Sequence, residues 1–218
     1  MSGRGLLITF EGVECSGKTT QVSLLAEAIR RSGDKVIILR EPGSTELGEK
    51  IRSLFQNKMN FEALTARSEL LLFAASRAQL CSEKIIPALQ RGEFVICDRF
   101  IDSSVVYQGH GRGIPTDEVV WINRFATQNL EPDITFILDL EVKEMIQRLR
   151  SRNMPLDRFE VLGYDFHQKV REAYLNLAEA HPHRCIVLKA TISKEELAAE
   201  IFQHLIRKKN VISPRGCD

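Results

Sequence analysis

The sequence predicts an α/β fold in which a five-stranded parallel sheet is flanked by helices, and three observations carry that prediction. Five short apolar runs recur along the chain, at Leu6–Phe10, Val36–Leu39, Phe94–Cys97, Ile134–Leu138 and Cys185–Leu188. Each run is continuous rather than alternating, as expected of strands buried on both faces. Stretches with helical periodicity separate them without repeats or low-complexity linkers, which suits one doubly wound domain over residues 1–209.

The elements follow in chain order. The first apolar run leads into Gly12-Val13-Glu14-Cys15-Ser16-Gly17-Lys18-Thr19, and Thr20–Arg30 then places Val22, Leu25, Ala26 and Ile29 on one helical face. The second run ends in Arg40-Glu41-Pro42-Gly43-Ser44-Thr45 and precedes helices expected near 46–57 and 62–90. The third run ends in Asp98-Arg99, and a helix is expected near 116–130. Helices near 142–152 and 162–180 follow the fourth run, and one near 193–209 follows the fifth. Arg207-Lys208-Lys209 suits a helix C-terminus, where cations oppose the macrodipole, and 210–218 reads as a polar frayed tail.

Composition narrows the partners. The chain has 218 residues, 44% hydrophobic and 27% charged, with a net charge of +1. That balance gives no case for nucleic acid or an anionic membrane as partner. No apolar stretch approaches transmembrane length, and Met1-Ser2-Gly3-Arg4 leads into the first strand without a signal peptide's apolar core. The cysteines at 15, 81, 97, 185 and 217 are odd in number and never form a C-x-x-C pair, which suits reduced thiols in a cytoplasmic setting. His181 and His183 flank Pro182 with no ligand cluster nearby and read as a loop pair.

The chemistry starts at residues 12–19, which match the phosphate-binding loop G-x-x-x-x-G-K-[ST] without a mismatch. A strand before it and a helix after it supply the required context, so the expected architecture is the three-layer αβα P-loop NTPase fold. Backbone N–H groups at the helix start converge on the phosphates of a nucleotide. Lys18 adds a point charge on the outer phosphates, and Thr19 offers a hydroxyl to Mg2+. In such sheets ligands sit beyond the carboxyl ends of the strands. Arginines at two of those ends, Arg40 and Arg99, suggest a second anion facing the first, as in transfer to a phosphorylated acceptor. Phe73 and Arg77 are four residues apart; by themselves they read as a core ring and a surface cation, or as a ring beside a guanidinium that suits a planar base attached to a phosphate. If the segment after Asp98 is helical, Arg99, Ser103 and Tyr107 recur at four-residue spacing along one wall.

These segments together resemble the thymidylate kinases, P-loop enzymes that phosphorylate dTMP with ATP. The resemblance runs from Phe10-Glu11-Gly12 to roughly Ala190. It rests on Arg40-Glu41-Pro42-Gly43, on Gly48-Glu49-Lys50-Ile51-Arg52, on Phe73 with Arg77, and on the Asp98–Gly113 run. Leu156-Asp157-Arg158-Phe159-Glu160, with Arg171 and Tyr174 downstream, completes it. The resemblance implies that Phe73 stacks on thymine, that Arg77 and Ser104 read its polar edge, and that Tyr107 packs under the sugar. It implies that Arg40 and Arg99 hold the acceptor phosphate and that Asp98 helps organise Mg2+. Glu14 stands where many members carry Asp, near the acceptor's sugar hydroxyl and phosphate. Members also work as homodimers, with the helices near 46–57 and 62–90 as the expected interface here.

The resemblance further places a short mobile lid, about 148–160, on an arginine-rich stretch containing Arg148, Arg150, Arg152 and Arg158. Arg148 and Arg152, on one helical face, correspond to lid arginines that neutralise transition-state charge. Lys189-Ala190-Thr191 falls in a loop that lies near adenine in the family. Two rivals are a kinase for another nucleotide or deoxynucleoside on the same fold, and a signalling GTPase. Asn57-Lys58-Met59-Asn60 superficially matches the guanine-reading N-K-x-D motif but lacks its final Asp. Cys15 has no counterpart in the family pattern. Two readings stand: a small residue tolerated at a variable loop position, or a thiol whose pKa is lowered by the loop N–H groups and Lys18 and whose thiolate is reactive.

Overall fold

The computed structural model describes residues 4–56, 64–152 and 159–212. Five parallel strands form one sheet in the order β2-β3-β1-β4-β5, with β1 Leu7–Glu11, β2 Val36–Arg40, β3 Phe94–Asp98, β4 Ile134–Asp139 and β5 Cys185–Lys189. All five strands occupy the predicted runs, each extending one residue further at the carboxyl end, and β1 starts one residue later. Successive residues on a strand point to opposite faces, and the two sets enter different cores. Ile8, Phe10 and Ile96 join a large cluster with Val22, Leu25 and Ile29 of α1 (Lys18–Arg31). Leu7, Val95, Cys97 and Leu39 join a second cluster with Leu80, Ile85 and Leu89. Helices therefore cover both faces, as the continuous apolar runs require.

The other helices are α2 Glu46–Gln56, α3 Ala66–Leu80, α4 Ile86–Gln90, α5 Ile101–Ser104, α6 Thr116–Thr127, α7 Val142–Ser151, α8 Tyr164–Ala180 and α9 Lys194–Ile212. The helix expected over 62–90 is not uniform: a π turn, Cys81–Ile85, separates α3 from α4. Pro87, near the start of α4, cannot donate to the preceding turn, and a wider turn ahead of it relieves the clash with that turn's carbonyl. A second π turn, Val105–Gly111, continues α5. α6 stops at Thr127, short of the predicted 130, because Gln128 and Asn129 adopt left-handed backbone. α9 runs on through Ile212, past the predicted stop at 209. No helix among the described residues is long and apolar enough to cross a membrane.

Register decides what the sheet presents. Phe10 pairs with Asp98, and Asp98 with Arg40, so β1, β3 and β2 end together. The residues just beyond, Gly12, Arg99 and Glu41, emerge along one edge. The α5 turn is pinned there by Asp102, whose buried carboxylate accepts two bonds from Arg184 at 2.7 and 2.8 Å.

Candidate active site

The loop after β1 is shaped by glycine where no other residue fits. Gly12 has φ of +128°, and a Cβ there would lie 2.5 Å from the Leu138 carbonyl oxygen. The loop ends where α1 begins at Lys18, which aims that helix's free N–H groups into the loop. The Lys18 ammonium is buried and donates to the carbonyls of Gly12 and Val13 at 3.0 and 2.7 Å. Burial and the nearby Arg99 charge push its pKa down to about 8. Val13 and Ser16 are buried in the loop's underside, and the Ser16 hydroxyl lies 3.4 Å from the ammonium. The Thr19 hydroxyl donates to Asp98 Oδ2 at 2.6 Å. The two oxygens implied for Mg2+ are therefore adjacent.

Arg99 is the centre of the polar cluster beside the loop. It has φ of +69°, outside any helix, since α5 starts only at Ile101. The expected four-residue wall forms nonetheless: the Arg99 guanidinium lies 5.1 Å from the Tyr107 ring centroid and donates to Ser103 Oγ at 3.3 Å. It also donates to Glu14 Oε1 at 2.9 Å, which accepts the Tyr107 hydroxyl at 2.6 Å as well. Burial would raise the Glu14 pKa, but Arg99 and Lys18 outweigh it and hold the carboxyl below its ordinary value. Arg40 is more exposed and pairs with Glu49 at 3.0 Å.

A cleft of about 700 Å³ joins these groups. Lys18, Thr19, Asp98, Arg99 and Arg40 line it together with an aromatic cluster of Phe73, Tyr107 and Phe159. Phe73 stacks on Phe55 at 4.6 Å and 8°, and Phe159 meets the Tyr107 ring edge-on at 5.5 Å. Arg77 and Ser104 reach this cleft too, but Arg77 is almost wholly buried and its five N–H donors are committed. Nε and Nη2 donate to Glu41 Oε2, Nη2 also to the Phe100 carbonyl, and Nη1 to Ser104 Oγ and Asn123 Oδ1. Reading a base edge requires exchanging one of those bonds.

The structure separates the lid arginines. Arg152 lines the cleft and donates to the buried Glu160 at 2.8 Å. Arg148 does not line it; it donates to Glu144 and to the carbonyls of Cys15 and Ala190. Lys189 and Thr191 line a separate hollow of about 580 Å³ with Asp139 and Arg171. Arg158 and Asn57–Asn60 lie outside the described residues. Cys15 overturns the reactive-thiolate reading: burial raises the thiol's pKa, and the opposing charge of Arg152 does not reverse it. The loop's cation is turned toward its own carbonyls rather than the sulfur.

Two groups beneath Arg99 figured in the sequence only as part of the resemblance, with no role attached. Glu11 is fully buried and accepts from Phe100 N at 2.8 Å, Ser103 Oγ at 2.6 Å and the Tyr174 hydroxyl at 2.8 Å. Burial, with Asp102 adding, pushes its pKa up to about 7. An acid closing an unbroken apolar strand was the available signal. For Tyr174 the resemblance was the available signal, and it did not disclose the partner.

Known proteins resemble this chain in both sequence and fold. The family described as thymidylate kinase matches residues 10–201. A thymidylate kinase of Pelobacter propionicus is 43% identical over 210 residues, covering 94% of this chain and 95% of its own. One from Caldanaerobacter subterraneus is 47% identical over 185 residues, covering 85% and 87%. The crystal structure of thymidylate kinase from Ehrlichia chaffeensis superposes with a TM-score of 0.75 at 35% identity, covering 93% of this chain and 99% of that one. With agreement of this extent across sequence and fold, the chain belongs to the thymidylate kinase family.

Proposed function

We infer that the cleft is where this chain transfers the γ-phosphoryl group of ATP to dTMP, giving ADP and dTDP. The observation that carries the assignment of roles is that one cleft brings the phosphate loop, Arg99 and the aromatic cluster together. The acceptor oxygen of a nucleoside monophosphate is already anionic, so no strong general base is needed. Catalysis is positioning plus charge neutralisation. Gly12–Thr19 cradle the ATP phosphates, with Lys18 turning from the loop carbonyls to the outer phosphates. Arg99 and Arg40 hold the dTMP phosphate, Glu14 takes the sugar hydroxyl, Tyr107 and Ser103 line the sugar side, and Phe73 stacks on the base. Ser104 lies at the polar edge, with Arg77 fixed behind it.

Thr19 and Asp98 present a hydroxyl and a carboxylate oxygen 2.6 Å apart, a donor set that fits Mg2+, which retains waters and takes few protein ligands. When bound it would neutralise charge on the outer phosphates. Arg152, placed on the cleft, is the arginine suited to the migrating phosphoryl group. Arg148 instead braces the loop at Cys15 against the loop at Ala190, where the donor's base would rest. Closing this segment over the cleft excludes water, the competing acceptor.

A homodimer is supported by exposed apolar side chains on three neighbouring helices: Leu47 on α2, Leu71 on α3, and the stacked pair Trp121 and Phe125 on α6. Large apolar side chains left exposed in this way suit an interface. Free, buried Cys81, Cys97 and Cys185 fit a reducing cytoplasm. Coupled ADP release across dTMP, dUMP, dCMP, dGMP and AMP tests the substrate assignment. dTMP should lead by a wide margin, and equal turnover of a purine monophosphate would contradict it.

A further inference from the structure

Arg99 can hold an acceptor phosphate only if its guanidinium is not captured by the carboxylate beside it. Glu14 takes one arm at 2.9 Å. The other arm, Nη1, donates to two hydroxyls, Tyr174 at 3.2 Å and Ser103 at 3.3 Å. Each of those hydroxyls has a single proton; they lie 3.0 Å from each other and 2.8 and 2.6 Å from Glu11 Oε2, the strongest acceptor in reach, so both protons are assigned to that oxygen. Their lone pairs are therefore left for the guanidinium. The result is a directed chain from Arg99 through two hydroxyls to a buried carboxylate, which acts as a counter-charge at one remove. The Glu11 Oε1 oxygen is spent on the backbone N–H groups of Phe100 and Ser103, at 2.8 and 3.3 Å. Glu11 thus fixes the turn that carries Arg99 as well as its hydroxyl partners.

Tyr174 is the member of this hydrogen-bond chain that comes from the C-terminal half of the sequence. It is 1% exposed, lies on α8, and reaches β1 across a separation of 163 residues. Its hydroxyl is not among the groups that line the cleft. A phenol so deeply buried keeps its O–H only where partners satisfy it, and here every partner serves Arg99.

We propose that Tyr174 is a positioning residue for phosphoryl transfer, holding the Arg99 guanidinium toward the acceptor phosphate and away from full pairing with Glu14. The proposal rests on Arg99 being the acceptor-phosphate ligand. Without the hydroxyl, one N–H of Nη1 loses its acceptor, and the guanidinium settles further onto Glu14. The acceptor must then displace that pairing, so the loss falls on dTMP and spares ATP.

The test is a double-mutant cycle on the full chain at pH 8, with kcat, KM for each substrate, dTMP dissociation constant and thermal midpoint measured for every variant. Tyr174→Phe should lower kcat/KM for dTMP about 10-fold or more, the worth of a hydrogen bond to a charged group. KM for ATP should stay within about two-fold. In an Arg99→Ala background the same substitution should change dTMP affinity less than about two-fold. An equal loss in both backgrounds, an equal rise in both KM values, or a lowered thermal midpoint with unchanged kinetics would overturn the proposal. If Tyr174→Phe does not fold, Ser103→Ala removes the parallel hydroxyl and carries the same cycle. Arg99→Ala alone separates the two levels: if it leaves dTMP handling intact, the site assignment fails. If it is damaging while Tyr174→Phe is silent, only the positioning role fails.

Discussion

Arg77→Met asks whether a guanidinium on the cleft wall serves the substrate or the wall. The side chain is 1% exposed and all five of its N–H groups have protein partners, two of them aimed at Glu41 Oε2 at 2.8 and 2.5 Å. Glu41 is buried as well, and its Oε1 has no hydrogen-bond partner among the described residues. Removing Arg77 leaves that carboxylate without its counter-charge, and breaking a buried pair this way costs about 3–5 kcal/mol. Each 1 kcal/mol shifts the midpoint of a protein this size by about 2–4 °C, so the loss should be roughly 6–20 °C. The sign of its pH dependence follows from Glu41, whose pKa burial already raises against the pull of Arg77. Without Arg77 it rises further, so the variant's deficit should shrink as pH falls and the carboxyl takes up a proton. Arg77→Met combined with Glu41→Leu should recover at least half of the loss, because no charge is stranded. Differential scanning fluorimetry at pH 5 and pH 8 measures all of this. A midpoint within about 2 °C of the parent, with base selectivity alone lost, would refute the reasoning and return Arg77 to the base edge.

Four shorter predictions follow from the same geometry. Arg152→Ala should lower kcat roughly 10³-fold, as loss of an arginine finger does, while Arg148→Ala should mainly weaken ATP affinity; a near-normal kcat for Arg152→Ala shows that the cation lies elsewhere. A missing methyl costs only about 1–3 kcal/mol, so dUMP should be a poor but real substrate. Cytosine reverses donor and acceptor and strands buried polar groups, so dCMP should be nearly inert, as steady-state kinetics will show. With the Lys18 pKa lowered from its ordinary 10.5 to about 8, kcat/KM for ATP should fall above pH 8. Stability should rise between pH 8 and 10.5, because there the unfolded chain keeps the proton that the folded one has lost; Lys18→Met should abolish that rise. Since burial raises the Cys15 thiol, iodoacetamide at pH 7 should label it more slowly than a free cysteine peptide, and preferential fast labelling by mass mapping would contradict this.

What the sequence disclosed was whatever is local. Continuous apolar runs located five strands, because a strand covered on both faces needs no polar partner. The spacing of Gly12, Gly17, Lys18 and Thr19 located the phosphate loop, because that loop is built from consecutive backbone. Arg99, Ser103 and Tyr107 met as their spacing implied, although Arg99 precedes the helix rather than joining it. The lost information was in buried polar pairing between distant segments. Glu11 with Tyr174, Arg77 with Asn123 and Asp102 with Arg184 are 163, 46 and 82 residues apart. Periodicity reports that such a side chain faces inward and says nothing of its partner. The reactive reading of Cys15 failed for the same reason, since its surroundings depend on which way Lys18 and Arg152 turn. The expectation of one helix over 62–90 passed over Pro87, which accompanies the break between α3 and α4.

The most direct measurement is to follow dTDP, ADP and inorganic phosphate together in one reaction of the purified chain with ATP, Mg2+ and dTMP. Transfer in a closed cleft floored by Arg99 predicts dTDP and ADP in equal amounts, with phosphate release near background and little ADP formed when dTMP is omitted. ADP matched by inorganic phosphate, with no dTDP, would contradict it and leave the chain a nucleotide hydrolase on a kinase fold.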